Sequence, residues 1–361
     1  MKIVVNNVAA QMGGAITLLK GLRDYIVEHD RENEWFFLLS KPYIEEAENV
    51  HVMVFENVKK SPIHRVIYDL SAGRKIERSL KPDLFFSMQN TLFKNVKTPQ
   101  AVYMHQSLPF QDIKDFSPLK KAELKSWYYQ KVVGRVIKKG LPKAKAIVVQ
   151  TKWIKDAIVK LYPETKDRIT VVNPNVTVPN RDESLVWKQN EFFSPITDVS
   201  YKNAKCIFDA AAELDKKGIR DFNTAITFEG ASTHDHVTNI GYVSKEELFK
   251  RYQTSTMIFP SYIETFGLPI AEAKLMGTVV LASDCPFSHE ILDGYKNAYF
   301  FDPFKPSELA SLMEKIIGGE IVKEEIDPEK TENDADALRS TPGNSWEKVV
   351  GAITKCVTMK Q

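Results

Sequence analysis

The sequence predicts an α/β protein made of two Rossmann-like, doubly wound halves that face each other across a cleft. Three observations carry that prediction. The chain has 361 residues, more than one ordinary core accommodates, so two domains are expected. Short apolar runs alternate with amphipathic helical stretches, the pattern of a parallel sheet covered by helices. The second half of the chain then repeats the pattern of the first.

The elements follow in order. Lys2–Asn6 is a short apolar strand, and a polar turn with Gly13 and Gly14 leads into a helix over Ala15–His29. Ile16, Leu19, Leu22, Tyr25 and Ile26 fall on one face of that helix. Strand-like runs recur at Trp35–Leu39, Val52–Phe55, Leu84–Ser87, Ala101–His105, Ala146–Gln150 and Ile169–Val172. The last of these runs into Asn173-Pro174-Asn175, a turn signal that suits a domain crossing. The second half offers a helix at Ala204–Lys217 and strands at Thr224–Phe228, His236–Ile240 and Met257–Pro260. A helix at Pro269–Met276, a strand at Val279–Ser283 and a helix at Pro306–Ile317 come next. Residues from about Gly318 to Asp336 are acidic and aperiodic, which reads as a solvated loop, and Trp346–Val357 is a closing helix. The expected domains are 1–175, 176–340 and a tail over 341–361 that returns to the first domain.

Composition narrows the function classes. Apolar residues make up 43% and charged residues 27%, an ordinary globular balance with a net charge of +2. Cys206, Cys285 and Cys356 lie far apart with no CxxC pair, so neither a disulfide framework nor a zinc knuckle is expected, and a reducing compartment is. The N-terminus enters a strand directly, with no signal-peptide pattern, and no apolar run is long enough to span a bilayer. The expectation is a cytoplasmic protein, at most peripheral on the inner face of the cell membrane.

The most informative stretch is MIFPSYIETFGLPIAEAKLMGTVVLAS, from Met257 to Ser283. It reads as strand, loop, helix with Pro269 in its first turn, a stop at Gly277, and another strand. Backbone amides of Phe266, Gly267 and Leu268 would lie at the start of that helix, where free donors and the macrodipole favour a phosphate. Gly267 allows close approach to the backbone. Glu264 stands before the helix and Glu272 in its first turn. Both would repel a phosphate, so they suit sugar hydroxyls on either side of it, since a carboxylate accepts two hydrogen bonds from a vicinal diol. The Glu-x7-Glu spacing alone also fits plain helix-start carboxylates.

Phe259 to Ile291 resembles the signature of the retaining GT-B glycosyltransferases of family four, which use nucleotide sugars. FPSYIETFGLPIAEAKLMG and SDCPFSHEIL carry the resemblance, and a weaker likeness extends over nearly the whole chain. It implies that Glu272 binds the nucleotide ribose, that Glu264 contacts the donor sugar, and that the Phe266–Leu268 backbone holds sugar and diphosphate. Lys202 matches the family's lysine that neutralises the leaving diphosphate, so Lys202 and Glu264 are the expected catalytic pair. The arginine that usually precedes this lysine is absent: Pro195-Ile196-Thr197-Asp198 stands there, with Lys205 and Lys152 as unranked substitutes. The Gly13-Gly14 loop is expected over the diphosphate, although as a sequence it also reads as a flexible turn. By the same resemblance His105 contacts the transferred sugar, although on its own it fits a hydrogen-bonded core residue. The resemblance also implies that Tyr242 and Val243 border the nucleotide base.

Other sites fall away. There is no GxGxxG for a nicotinamide dinucleotide. Asp334-Ala-Asp336 is a DxD string, but in an acidic loop rather than at a strand end. His234 and His236 stand one residue apart, and His289-Glu290 lacks a second histidine four residues on, so no metal and no cofactor are expected. Glu290 reads as a helix-start carboxylate.

Residues 114–155 are strongly basic and carry Trp127, Tyr128 and Tyr129. Such a run is either a solvated face or a surface for an anionic leaflet; no nucleic-acid motif accompanies it. The resulting expectation is a metal-independent glycosyltransferase with a nucleotide-sugar donor, UDP favoured over GDP, and a glycan or polyprenyl-linked acceptor. Donor would be held mainly by the second domain and acceptor by the first, with closure excluding water. A nucleotide-sugar epimerase of similar build and a non-catalytic binding subunit are the rivals.

Overall fold

The computed structural model describes residues 1–10, 14–325 and 345–358. Gly13, Asp334 and Asp336 lie outside the described residues. The chain divides into two compact units: the first holds the described residues up to 119, then 124–173 and 345–358, and the second holds 120–123 and 174–325.

The first unit contains β1 (Lys2–Asn6), α1 (Gly14–His29), β2 (Glu34–Leu39), β3 (Val50–Val54), α2 (Pro62–Leu80), β4 (Leu84–Ser87) and β5 (Gln100–Tyr103). After these come α3 (Leu124–Trp127), a π-helical turn (Tyr128–Val133), α4 (Gly134–Gly140), β6 (Ala146–Val149), α5 (Lys152–Leu161) and β7 (Ile169–Val171). The seven strands are all parallel in the order β3-β2-β1-β4-β5-β6-β7. Side-chain alternation sends Ile3, Val5, Trp35, Phe37, Leu84 and Phe86 into one core and Val4, Leu38 and Phe85 into another. Both faces are covered, which is why these strands read as continuous apolar runs rather than alternating ones.

α1 seals the first of these faces through Leu19, Leu22 and Ile26, and α2 the second through Tyr68, Ala72 and Ile76. The closing helix α11 (Ser345–Thr358) joins α1 on its face, burying Val349, Val350 and Ile353. Its Trp346 meets Tyr103 edge to face at 6.1 Å and lies so close to Gly21 that a Cβ there would stand 2.8 Å from Nε1.

The second unit contains β8 (Glu191–Ser194), a short 3₁₀ turn (Ser200–Lys202), α6 (Ala204–Lys216), β9 (Asn223–Ile226), β10 (Val237–Asn239), α7 (Lys245–Thr254) and β11 (Thr256–Phe259). It continues with α8 (Leu268–Leu275), β12 (Val280–Ser283), α9 (Pro286–Ile291), β13 (Ala298–Phe301) and α10 (Pro306–Ile317). Its six strands are parallel in the order β10-β9-β8-β11-β12-β13. Strand order therefore reverses direction between β8 and β11, a switch point where crevices form at the carboxyl ends of such sheets.

Several elements differ from the sequence expectations. β8, β13, α2, α5 and α7 were not anticipated; β8 and β13 are four-residue segments, too short for periodicity to distinguish from loop. β5 ends at Tyr103, so His105 follows the strand instead of closing it. β3 begins two residues earlier than expected, because Val50 pairs with Trp35. Among the described residues no helix is long and apolar enough to cross a membrane.

Candidate functional site

The site is built from the loops that leave β8 and β11. The first carries Lys202, and the next residue, Asn203, turns the chain through a left-handed φ of +59°. Asn203 tolerates that conformation and fixes it by donating Nδ2 to the carbonyl of Pro303 at 2.7 Å. The second loop is tied to the first by the amide of Tyr262, which donates to the Tyr201 carbonyl at 3.1 Å.

Across this switch point Lys202 Nζ forms an ion pair with Glu264 Oε1; their side chains are 19% and 16% exposed. Ser261 Oγ donates to the same Glu264 oxygen at 2.8 Å, and the Ser283 hydroxyl donates to the Ser261 carbonyl, which anchors the loop to β12. The ammonium also lies 5.8 Å from the Phe259 ring and 6.0 Å from the Tyr201 ring. A charge in this setting is oriented by its neighbours rather than swept by solvent.

α8 begins one residue earlier than expected, with Gly267 as its N-cap at φ +89°. Only glycine holds that geometry without strain, and a Cβ would press on Ile270 at 3.2 Å and Phe287 at 3.3 Å. The Gly267 carbonyl accepts from the Ile270 and Ala271 amides. The amides of Phe266, Gly267 and Leu268 donate to no protein acceptor among the described residues, as the start of a helix leaves them. Phe266 is buried, whereas Leu268 is 43% exposed.

Glu272 is the fifth residue of α8, just past its first turn rather than in it. It is half-buried, and burial pushes its carboxyl up to about 7, opposed by the Tyr252 hydroxyl and by Lys245. Tyr252 of α7 donates to Glu272 Oε2 at 3.3 Å, and burial next to that carboxylate raises the phenol well above its ordinary value. Tyr252, Ser261 and Asn203 were missed in the sequence. Asn203 alone carried a local signal there, an asparagine immediately before a helix.

Gly14 opens α1 and is exposed, with nothing within 4 Å of a Cβ built there. His105, in the first unit, packs against Tyr103 with ring centroids 4.1 Å apart and the planes tilted by 46°, and Asn90 Oδ1 accepts its backbone N–H at 2.6 Å. Its ring nitrogens are shielded from solvent, and burial pulls the imidazole down to about 4, so it is neutral at pH 7. Tyr242 and Val243 follow Gly241, and Tyr242 is 89% exposed. Lys205 does not join Lys202, because it pairs with Asp209 one turn along α6 at 2.6 Å. Lys152 pairs with Asp156 in the first unit. Glu290 sits at the end of α9, not at its start. His234 and His236 flank Asp215 at 3.3 Å each, and among the described residues no group of three or more candidate ligands could hold a metal ion.

Residues 181–333 match the family model for glycosyl transferases group 1. That span holds Lys202, Glu264, the Gly267 cap and Glu272 together. The second unit is similar to the group 1 glycosyl transferases over that span. The chain is 27% identical over 188 residues to the O-antigen chain mannosyltransferase RfbU of Salmonella typhimurium, covering 47% of this chain and 52% of that one. It is 30% identical over 141 residues to the D-inositol 3-phosphate glycosyltransferase of Paenarthrobacter aurescens, covering 38% and 32%. The chain thus matches about half the length of the first curated relative and about a third of the second. Among solved structures, the lipopolysaccharide outer core galactosyltransferase WaaB in its apo form superposes with a TM-score of 0.68 at 16% identity, over 98% of this chain and 99% of that one. WaaG, a glycosyltransferase of lipopolysaccharide biosynthesis, gives 0.66 at 12% identity over 98% and 100%. Anabaena HepE in complex with UDP and glucose gives 0.56 at 15% identity over 99% of each chain. These likenesses establish the GT-B fold.

Proposed function

We propose that this glycosyltransferase moves a sugar from a nucleotide-diphosphate donor to a glycan or polyprenyl-linked acceptor in surface polysaccharide synthesis, with retention of anomeric configuration. The observation that carries the reading is the Lys202–Glu264 pair set across the β8/β11 switch point beside the amides that open α8. A diphosphate placed there meets an ammonium and helix-start donors together. Glu264 and Glu272 are then left to grip hydroxyls of sugar and ribose, because neither carboxylate gains from a phosphate.

In this reading Lys202 neutralises charge that builds on the leaving diphosphate, and it does so without a metal. The leaving phosphate oxygen takes the acceptor proton on the same face of the sugar, so no protein nucleophile is required. UDP is the favoured nucleotide, in line with HepE, whose complex contains UDP and glucose. The names of RfbU and WaaB, an O-antigen chain mannosyltransferase and an outer core galactosyltransferase, support a surface glycan as the product class. We assign the basic face within 114–155 to the anionic inner leaflet of the cell membrane, because Leu124, Tyr128, Val132 and Val136 are exposed there among lysines and Arg135.

The test is a thermal-shift series with UDP-, GDP- and ADP-sugars, followed by product analysis with the nucleotide that binds. Ligand at a hundred times its Kd stabilises by about 2.7 kcal/mol, so the preferred donor raises Tm clearly. Slow donor hydrolysis releasing free UDP and a sugar of unchanged anomeric form supports the proposal. Interconversion of the donor sugar with no nucleotide released overturns it in favour of an epimerase.

A further inference from the structure

α2 is apolar on two faces. Tyr68, Ala72 and Ile76 turn inward and seal the sheet. On the outward side Ile63, Val66, Ile67 and Leu70 are 70%, 55%, 56% and 44% exposed. Their spacing sets them on one stripe over two turns of the helix. A surface helix ordinarily turns a polar face to water, and α1, α6 and α10 do so, since none of them exposes a large apolar side chain.

Beside the stripe runs a groove of about 690 Å³ between α2, β3 and a 3₁₀ turn over Glu56–Lys59. Val54, Phe55, Ile67, Tyr68, Ala72 and Ile76 are among its walls, and Val54 is itself exposed. β3 is an edge strand, so no further strand covers this side among the described residues. Stripe and groove meet at Ile67, which belongs to both. Together they expose on the order of 400 Å² of apolar surface, the size at which a patch marks an interaction site.

The charges around the stripe do not suit an anionic leaflet. Within 62–71 the formal charges are Arg65 and Asp69, which pair with each other at 2.9 Å. His64 Nδ1 is engaged by the Ser61 hydroxyl at 2.8 Å. A helix that lies on headgroups is instead fringed by unpaired lysines and arginines.

The spacing matches a second copy of the chain. Ile63, Val66, Ile67 and Leu70 lie three, one and three positions apart, so the stripe reads the same in both directions. A twofold axis between Val66 and Ile67 lays it antiparallel on itself, with Ile63 against Leu70 of the second copy and Val66 against Ile67 of the second copy. Doubled by that axis and widened by a polar rim, the patch reaches the roughly 1,000 Å² that a specific interface needs.

We propose that α2 and its groove form a homodimer interface in which the two outward stripes pack antiparallel. The interface is independent of the donor chemistry assigned to the second unit. Sedimentation velocity of the full chain over a range of concentrations tests it, and wild type is expected to pass from monomer to dimer. Val66→Lys and Ile67→Glu each weaken the dimer about tenfold or more, because the axis sets two like charges side by side. Mixed in equal amounts, the two variants recover association, since the new lysine of one meets the new glutamate of the other; this also shows that both are folded. Leu119→Glu, at a side chain 93% exposed elsewhere in the first unit, leaves the dimer unchanged. A wild type that stays monomeric at its highest soluble concentration overturns the proposal, as does a dimer indifferent to both stripe substitutions. Variants that dissociate and do not recombine overturn the antiparallel pairing. A monomeric wild type that sediments with phosphatidylcholine vesicles, and is released by Val66→Lys, assigns the stripe to lipid instead.

Discussion

Lys202 and Glu264 are paired across the point where the second sheet reverses its strand order, one residue following β8 and the other following β11. The pair holds the ammonium at the carboxyl edge of the sheet, and a phosphoryl group arriving there competes with Glu264 for it. In the proposed function Lys202 is thereby positioned before any charge develops, the arrangement that makes electrostatic stabilisation effective.

Lys202→Ala therefore acts on the transition state. Its kcat at saturating donor should fall roughly a hundred- to a thousandfold, with a smaller change in donor KM. Steady-state kinetics check this, and a variant with full kcat ends the assignment.

With Glu272 on the ribose, as proposed, donor binding should depend on pH. Burial raises its carboxyl to about 7, and only the ionised form accepts hydrogen bonds from both ribose hydroxyls. Donor affinity should rise as pH increases through about 7, and Glu272→Gln should bind roughly ten- to a hundredfold more weakly with a flat profile. Tyr252→Phe removes a hydrogen bond that lowers this carboxyl, so its midpoint moves above the wild-type value. Calorimetric titration of nucleotide between pH values on either side of neutrality decides the point.

His105 predicts acid sensitivity. Its folded-state value is depressed to about 4 from the ordinary 6.5, so the unfolded chain binds more protons between those values. The stability it contributes is present above pH 6.5 and is lost as pH falls toward 4. Replacing it as His105→Gln should flatten that part of the Tm-against-pH curve, and an unchanged slope there contradicts the burial account.

Gly267→Ala tests the cap of α8. A side chain at φ +89° is strained and meets Ile270 and Phe287, costing about 1–3 kcal/mol. Tm should drop and donor affinity should drop with it, because the same residue presents the amides. Gly14→Ala, with open space around it, serves as the control that leaves Tm nearly unchanged.

Much of the fold was legible because its signals are local. Apolar runs of four or five residues separated by amphipathic stretches announce a parallel sheet covered on both faces, and Ile3, Val4 and Val5 behave accordingly. The string from Phe259 to Leu275 contains its own loop, glycine and proline, so strand, cap and helix could be read in place, with Glu272 set one residue too near the helix start because that start was set at Pro269. β8 and β13 escaped because four residues contain too little periodicity.

What the chain determined by itself was its alternation of elements, the glycine at the start of α8, and two glutamates one helix-start apart. Only tertiary structure decided that Lys202 would meet Glu264, 62 positions later, that Tyr252 would touch Glu272, and that Val54 and Ile67 would share one groove. Periodicity and turn chemistry act over a few residues, whereas these meetings depend on which strands lie side by side, and strand order is settled by packing of whole sheets and helices.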